Sequence, residues 1–153
     1  MSSETEGDEA AAVAVALDVL PRLVRLLRQA SANPDADPEP LTLTQYRLLK
    51  HLETEPRLTT ELAARLEVTP ATVSAAIDCL VRRGMVERLV SPNDRRAVPL
   101  RCTAPGLQAL AAARRRQQAV LTDVLQHLNA EETGQLAEGL RAVRRALAQR
   151  SDK

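Results

Sequence analysis

The chain has no Phe, no Trp and a single Tyr, Tyr46. Its core must therefore be built from Leu, Val and Ala, and small side chains of that kind suit close helix packing. Cysteine is almost as scarce. Cys79 and Cys102 stand 23 positions apart with no C-x-x-C spacing, which excludes a disulfide framework and offers no zinc ligand set. The two histidines, His51 and His127, have no Cys, Asp or Glu at triad or ligand spacing. Glu53 near His51 reads as an exposed helix residue, and there is no glycine-rich phosphate loop. No catalytic constellation is present, and nothing calls for a cofactor or a metal. No apolar run approaches the roughly 20 residues of a membrane span. The start of the chain is acidic and lacks the basic opening of a signal peptide, so a cytoplasmic location without membrane contact is expected.

What is present is positive charge in one place. The formal net charge is only +1, and residues 1–10 carry Glu4, Glu6, Asp8 and Glu9 with no base. Between Arg57 and Arg101, however, eight Arg face five acids. Such local excess is the electrostatic footprint of a nucleic-acid partner, although ordinary solvated helix faces also produce it.

Along the 153 residues, 1–8 read as a disordered acidic tail. Val13, Leu17, Leu20, Val24 and Leu27 recur at helical spacing and predict a first helix over about 9–31, with Pro21 kinking it or restarting it. The Pro-rich stretch 31–40 reads as a linker. Thr42 and Gln45 form a capping box ahead of Leu48, Leu49 and Leu52. A short helix from about Thr59 to Glu67 turns its Leu62, Ala63 and Leu66 inward. After a turn at Val68 and Thr69, a fourth helix begins with Thr69 as N-cap and Pro70 in first position. It ends near Arg83, with Gly84 suited to the left-handed residue beyond. Val86–Val90 and Val98–Cys102 are strand candidates around a polar tip, and Pro99 must sit at an edge or pair on its other side. Thr103 caps a helix to about His127, and Asn129 with Glu132 opens a last helix to about Ala148.

Helix, turn, helix, then a basic hairpin is the order in which a winged helix presents itself to DNA. With Val73, Ile77, Leu80 and Val81 turned inward, the fourth helix leaves Ala71, Thr72, Ser74 and Ala75 outside. These small, uncharged side chains can lie close to base edges, with hydroxyls to exchange hydrogen bonds and methyls to touch thymine. In the hairpin tip, Pro92, Asn93 and Asp94 form the turn, and Arg95 and Arg96 follow. A flat cation suits the negative potential of a narrow minor groove. Arg88 and Arg101 are placed for phosphate, and Thr59, Thr60 and Thr69 for the DNA backbone.

These residues resemble the MarR family of bacterial transcription regulators. The family's wing pattern stands here as Asp94, Arg96, Leu100, Cys102 and Thr103, followed by Gly106. Its helix pattern stands as Leu62-Ala63, Thr72-Val73-Ser74, Asp78, Leu80, and Arg83-Gly84 before Val86-Glu87-Arg88. The close match covers about 65 residues. The resemblance implies a homodimer in which the first, fifth and sixth helices of two chains interlace, presenting two winged modules to one palindromic site on double-stranded DNA. It implies Arg96 as the wing-tip arginine and Asp94 as the residue that structures the wing. Ala75 in place of a basic or longer polar residue, Cys102 in place of Leu, and Pro99 in the wing strand depart from the pattern, and shift reliance toward Thr72, Ser74 and DNA shape. The resemblance further implies a phenolic or anionic effector in a cleft, for which Tyr46 and His51 are the candidates here.

The expected fold is mainly α: a disordered tail over 1–8, a first dimerisation helix over 9–31, a winged helix-turn-helix over 42–103, and C-terminal dimerisation helices over 104–149. The apolar residues of the terminal helices, from Leu107 to Leu147, are too many for a small module to cover, which gives the dimer a reason independent of the resemblance. The expected function is a sequence-specific, ligand-responsive repressor. Two rivals are a winged-helix protein-interaction module and a redox-sensing regulator acting through Cys79, which lies among Asp78, Arg82 and Arg83.

Overall fold

The computed structural model describes residues 2–31, 39–89 and 98–151. Helix α1 spans Ser2–Ser31, and Pro21 lies inside it. One expectation changes here, and one of two alternatives is removed. The acidic residues at the start are helical rather than a tail, because extending an existing helix adds one hydrogen bond for each residue fixed and the alanine-rich stretch after Glu9 propagates well. Pro21 does not restart the helix, since it removes one hydrogen bond from a segment held on both sides. Ser31, shared by the expected helix over 9–31 and the expected linker, is the last residue of α1 and is buried. Of the rest of that linker, 32–38 lie outside the described residues.

Helices α2 (Leu43–Leu52), α3 (Thr59–Leu66) and α4 (Pro70–Arg82) follow. The Thr42 hydroxyl accepts from Gln45 N–H at 3.2 Å while Thr42 N–H donates to the Gln45 side chain at 2.9 Å, closing the expected box. At α3 the Glu61 carboxylate accepts from Leu58 N–H at 3.1 Å. The turn out of α3 is made by Glu67 in the left-handed region, φ 55°. Thr69 accepts from Thr72 N–H at 3.2 Å, Pro70 opens α4, and Gly84 takes φ 68° beyond its end.

Strands β1 (Val86–Arg88) and β2 (Leu100–Cys102) pair antiparallel, with Val86 opposite Cys102 and Arg88 opposite Leu100. They are shorter than expected. Leu89 N–H still reaches Pro99 C=O at 2.8 Å, but Pro99 has no hydrogen for the return bond, and among the described residues the ladder goes no further. On its other side β2 bridges Arg57, with Leu100 N–H to Arg57 C=O at 2.9 Å. Helix α5 spans Ala104–Leu125 and α6 spans Ala130–Ser151, the latter opened by the reciprocal Asn129–Glu132 bonds at 2.8 and 2.9 Å.

The core gathers Leu48, Leu49 and Leu52 of α2, Leu62 and Leu66 of α3, Val73, Ile77 and Leu80 of α4, Val86 and Leu100 of the hairpin, and Leu110 and Ala113 of α5. Chain contacts divide the molecule into two units, Met1–Gln117 and Gln118–Lys153. The division falls inside α5 rather than before it, because Leu110 and Ala113 are buried in the core of the winged module. Within the first unit, α1 exposes Val13, Leu17, Leu20 and Val24; within the second, α6 exposes Leu136, Leu140, Val143 and Leu147.

Candidate nucleic-acid interface

Helix α4 buries Val73, Ile77 and Leu80 and leaves Ala71, Thr72, Ser74 and Ala75 exposed. The periodicity that anchors one side thus frees the other. Thr69 and Thr72 are tied together, with hydroxyl oxygens 2.9 Å apart, so both serve the helix start as well as the surface. Thr60 is exposed and Thr59, the first residue of α3, is half-buried.

Two ion pairs absent from the sequence reading shape the hairpin beside this face. Arg88 donates to the Asp78 carboxylate at 2.7 Å, joining β1 to α4, and Arg101 pairs with Glu87 across the strands at 2.7 Å. Both pairs are exposed, so their contribution is to orientation more than to stability. Arg88 and Arg101 are therefore already partnered rather than open cations. The wing tip, with Asn93, Asp94, Arg95 and Arg96, lies outside the described residues.

Tyr46 lines a cleft of about 390 Å³ together with Val24, Leu27 and Arg28 of α1, Leu41, Leu43, and Gln117 of α5. The walls are mostly apolar and the size suits one small ligand. His51 does not line it. Five residues along α2 place it about 140° further round the helix. Burial holds its imidazole below the ordinary histidine value, and Arg65, Arg47, Arg57 and Lys50 push the same way. His51 is accordingly neutral at pH 7 and offers no charge to an anion.

At the far end of α2, Arg114 grips Glu53 with two bonds of 2.7 Å. That fork holds the Glu53 carboxyl below its usual range. Gln117 donates to the Ser31 hydroxyl at 2.9 Å and Arg116 to the Ser31 carbonyl at 3.2 Å, fastening the end of α1 to α5. Cys79 is a half-buried free thiol on α4. Cys102 is buried, and burial followed by the Glu53 charge pushes its thiol pKa up, so it stays protonated and inert. Among the described residues no group of three or more His, Cys, Asp or Glu is placed to hold a metal, and no helix is long and apolar enough to cross a membrane.

A capped helix pair, two antiparallel strands after it and flanking long helices define a winged helix-turn-helix protein. Residues 41–98 match the model of the MarR family. An HTH-type transcriptional regulator of Mycobacterium tuberculosis is 33% identical over 120 residues, 77% of this chain and 82% of the relative, and an uncharacterised HTH-type regulator of Mycobacterium leprae is 32% identical over the same shares. The crystal structure of wild-type MarR from E. coli in its apo form superposes with a TM-score of 0.70 at 26% identity, over 84% of this chain and 93% of that one. A second solved structure, of a Mycobacterium tuberculosis protein, gives a TM-score of 0.77 at 21% identity over 91% and 93%, which speaks to the fold. The chain belongs to the MarR family and is a transcription regulator with a DNA-binding winged helix. The family is one of regulators, not of enzymes.

Proposed function

We propose that this regulator is a ligand-responsive repressor that binds a pseudo-palindromic operator as a homodimer in the cytoplasm. The observation that carries the reading is the exposed, uncharged face of α4 beside a hairpin, in a chain whose α1 and α6 both leave apolar stripes uncovered. In this reading Ala71, Thr72, Ser74 and Ala75 face bases, while Thr59, Thr60 and Thr69 hold backbone phosphates. Arg96 enters the minor groove, Arg95 and Asn93 lie alongside, and Asp94 structures the wing. Arg88, fixed by Asp78, presents its remaining donors to phosphate.

Arg96→Ala is expected to weaken operator binding by about 1–3 kcal/mol without unfolding the protein. Fluorescence anisotropy at fixed salt, on a duplex selected from a random pool, measures it; undiminished affinity contradicts the role. A steep fall of wild-type affinity with salt separates DNA reading from docking to an acidic protein partner, which would protect no specific site on a duplex.

The cleft beside Tyr46 supports an effector of the aromatic-acid kind. Its apolar walls would take a ring, the Arg28 guanidinium a carboxylate, and Gln117 or the Tyr46 phenol a hydroxyl. A thermal-shift series with benzoate, salicylate and 4-hydroxybenzoate is expected to raise the unfolding midpoint for at least one, and Arg28→Ala to abolish the rise. No rise with any of the three counts against the cleft.

A further inference from the structure

Helix α2 has three attachments along ten residues. Its inner face, through Leu48, Leu49 and Leu52, is embedded in the core that also holds Ile77 and Leu80 of α4. Tyr46, near its start, is a wall of the cleft. Glu53, at its C-terminal cap, is gripped by the Arg114 fork from α5. Gln117, one turn beyond Arg114 on α5, lines the same cleft as Tyr46. One α5 side chain thus ties the two helices that wall the cleft, α2 and α5, at the cap of the helix that supports the DNA-facing element.

We propose that Arg114 is the positioning residue that couples the cleft to the DNA-reading helix. Its two bonds to Glu53 fix where α2 sits against α5, and so where Tyr46 stands in the cleft. Close-packed interiors transmit displacement instead of absorbing it, so a shift of α4 on DNA carries α2 with it, and the Arg114 anchor on α5 turns that shift into a change of the cleft around Tyr46. A two-bond fork suits this role because a planar guanidinium fixes direction as well as distance, which the point charge of a lysine does not. The pair is half-exposed, so removing it leaves the core intact. Coupling between two sites is reciprocal: whatever lets a ligand in the cleft act on DNA binding also lets DNA act on the cleft. The proposal rests on the DNA-binding and cleft readings above.

The sequence supplies the probe. Tyr46 is the single tyrosine, so the full-length protein grown with 3-fluorotyrosine gives one fluorine NMR environment per chain, at the cleft. Saturation with the selected duplex is expected to move that line in the wild type. In Arg114→Gln the line stays put while anisotropy still registers binding, weakened about 5-fold. Glu53→Gln gives the same loss, the double variant no more than either, and Arg114→Lys recovers less than half of the shift, because one ammonium cannot replace the fork. An equal line shift in wild type and Arg114→Gln overturns the proposal, as does a wild type that binds duplex without any shift, or additive losses in the double variant. A wild type that binds no duplex at all in the anisotropy control overturns the DNA reading itself, and the coupling with it.

Discussion

With Leu140 and Leu147 both changed to Glu, the chain sediments as a monomer at micromolar concentration and loses about 100-fold or more in operator affinity. The reason lies in what α6 leaves open. Leu140, Val143 and Leu147 are 55%, 56% and 57% exposed, at the helical spacing that lines up one face. Helix α1 repeats the pattern, with Leu17 73% exposed. Covering a leucine side chain contributes roughly 1.5–3 kcal/mol, and several from each chain add up to a stable interface. A carboxylate placed in that interface has to be stripped of water without a partner, at a cost that exceeds the gain it replaces. The loss of DNA affinity then follows without any change to the DNA-facing surface. Two linked modules meet the second half-site at millimolar effective concentration, and a lone module does not. Sedimentation equilibrium and anisotropy read the two effects separately. A variant that remains dimeric would place the interface elsewhere.

Gly106→Ala is expected to lower stability by about 3 kcal/mol in urea denaturation, at the upper end of the overpacking range. A Cβ built there meets the Met85 carbonyl oxygen at 2.2 Å and the Cys102 Sγ at 2.8 Å. The sulfur could give way, but the carbonyl belongs to the backbone and accepts Thr103 N–H at 3.0 Å, the bond that closes the base of the hairpin. The added methyl therefore pushes α5 off the hairpin or moves the wing. Cys102→Ala alongside it should restore little, since the carbonyl remains. Gly134→Ala and Gly139→Ala supply the contrast. Nothing lies within 4 Å of either new Cβ, and both replace the weakest non-proline helix residue in α6. Each is expected to be neutral or to stabilise by up to about 1 kcal/mol. Equal behaviour of Gly106 and Gly139 would remove the close-approach explanation.

The local grammar of this chain was legible. Thr42 with Gln45, Thr69 with Pro70, Gly84, and Asn129 with Glu132 are signals spanning four residues or fewer, and each stands at a helix end in the structure. The inward stripes of α2, α3 and α4 were legible for the same reason, because helical period alone selects them. What failed to show was set by distance along the chain. Glu53 and Arg114 are 61 residues apart, Ser31 and Gln117 are 86 apart, and no local pattern announces that they meet. Asp78 and Arg88 are only ten apart, yet their bond depends on how the hairpin folds back over α4. His51 was grouped with Tyr46 from their chemistry, and helix geometry separates them. The start of α1 was missed because acidic, apolar-poor sequence carries no periodic signal, although nothing in it except Gly7 resists a helix already formed downstream. The glycine pattern around Gly106 was read as family likeness, and its physical cause is the Met85 carbonyl lying against it.

Hydroxyl-radical footprinting of the selected duplex tests the central claim most directly, because it sees the DNA surface that two paired winged modules would cover. The account requires two related patches of protection on one face of the double helix, centred about 10 base pairs apart, that appear together as protein is added. A single patch, or uniform protection indifferent to sequence, would contradict it.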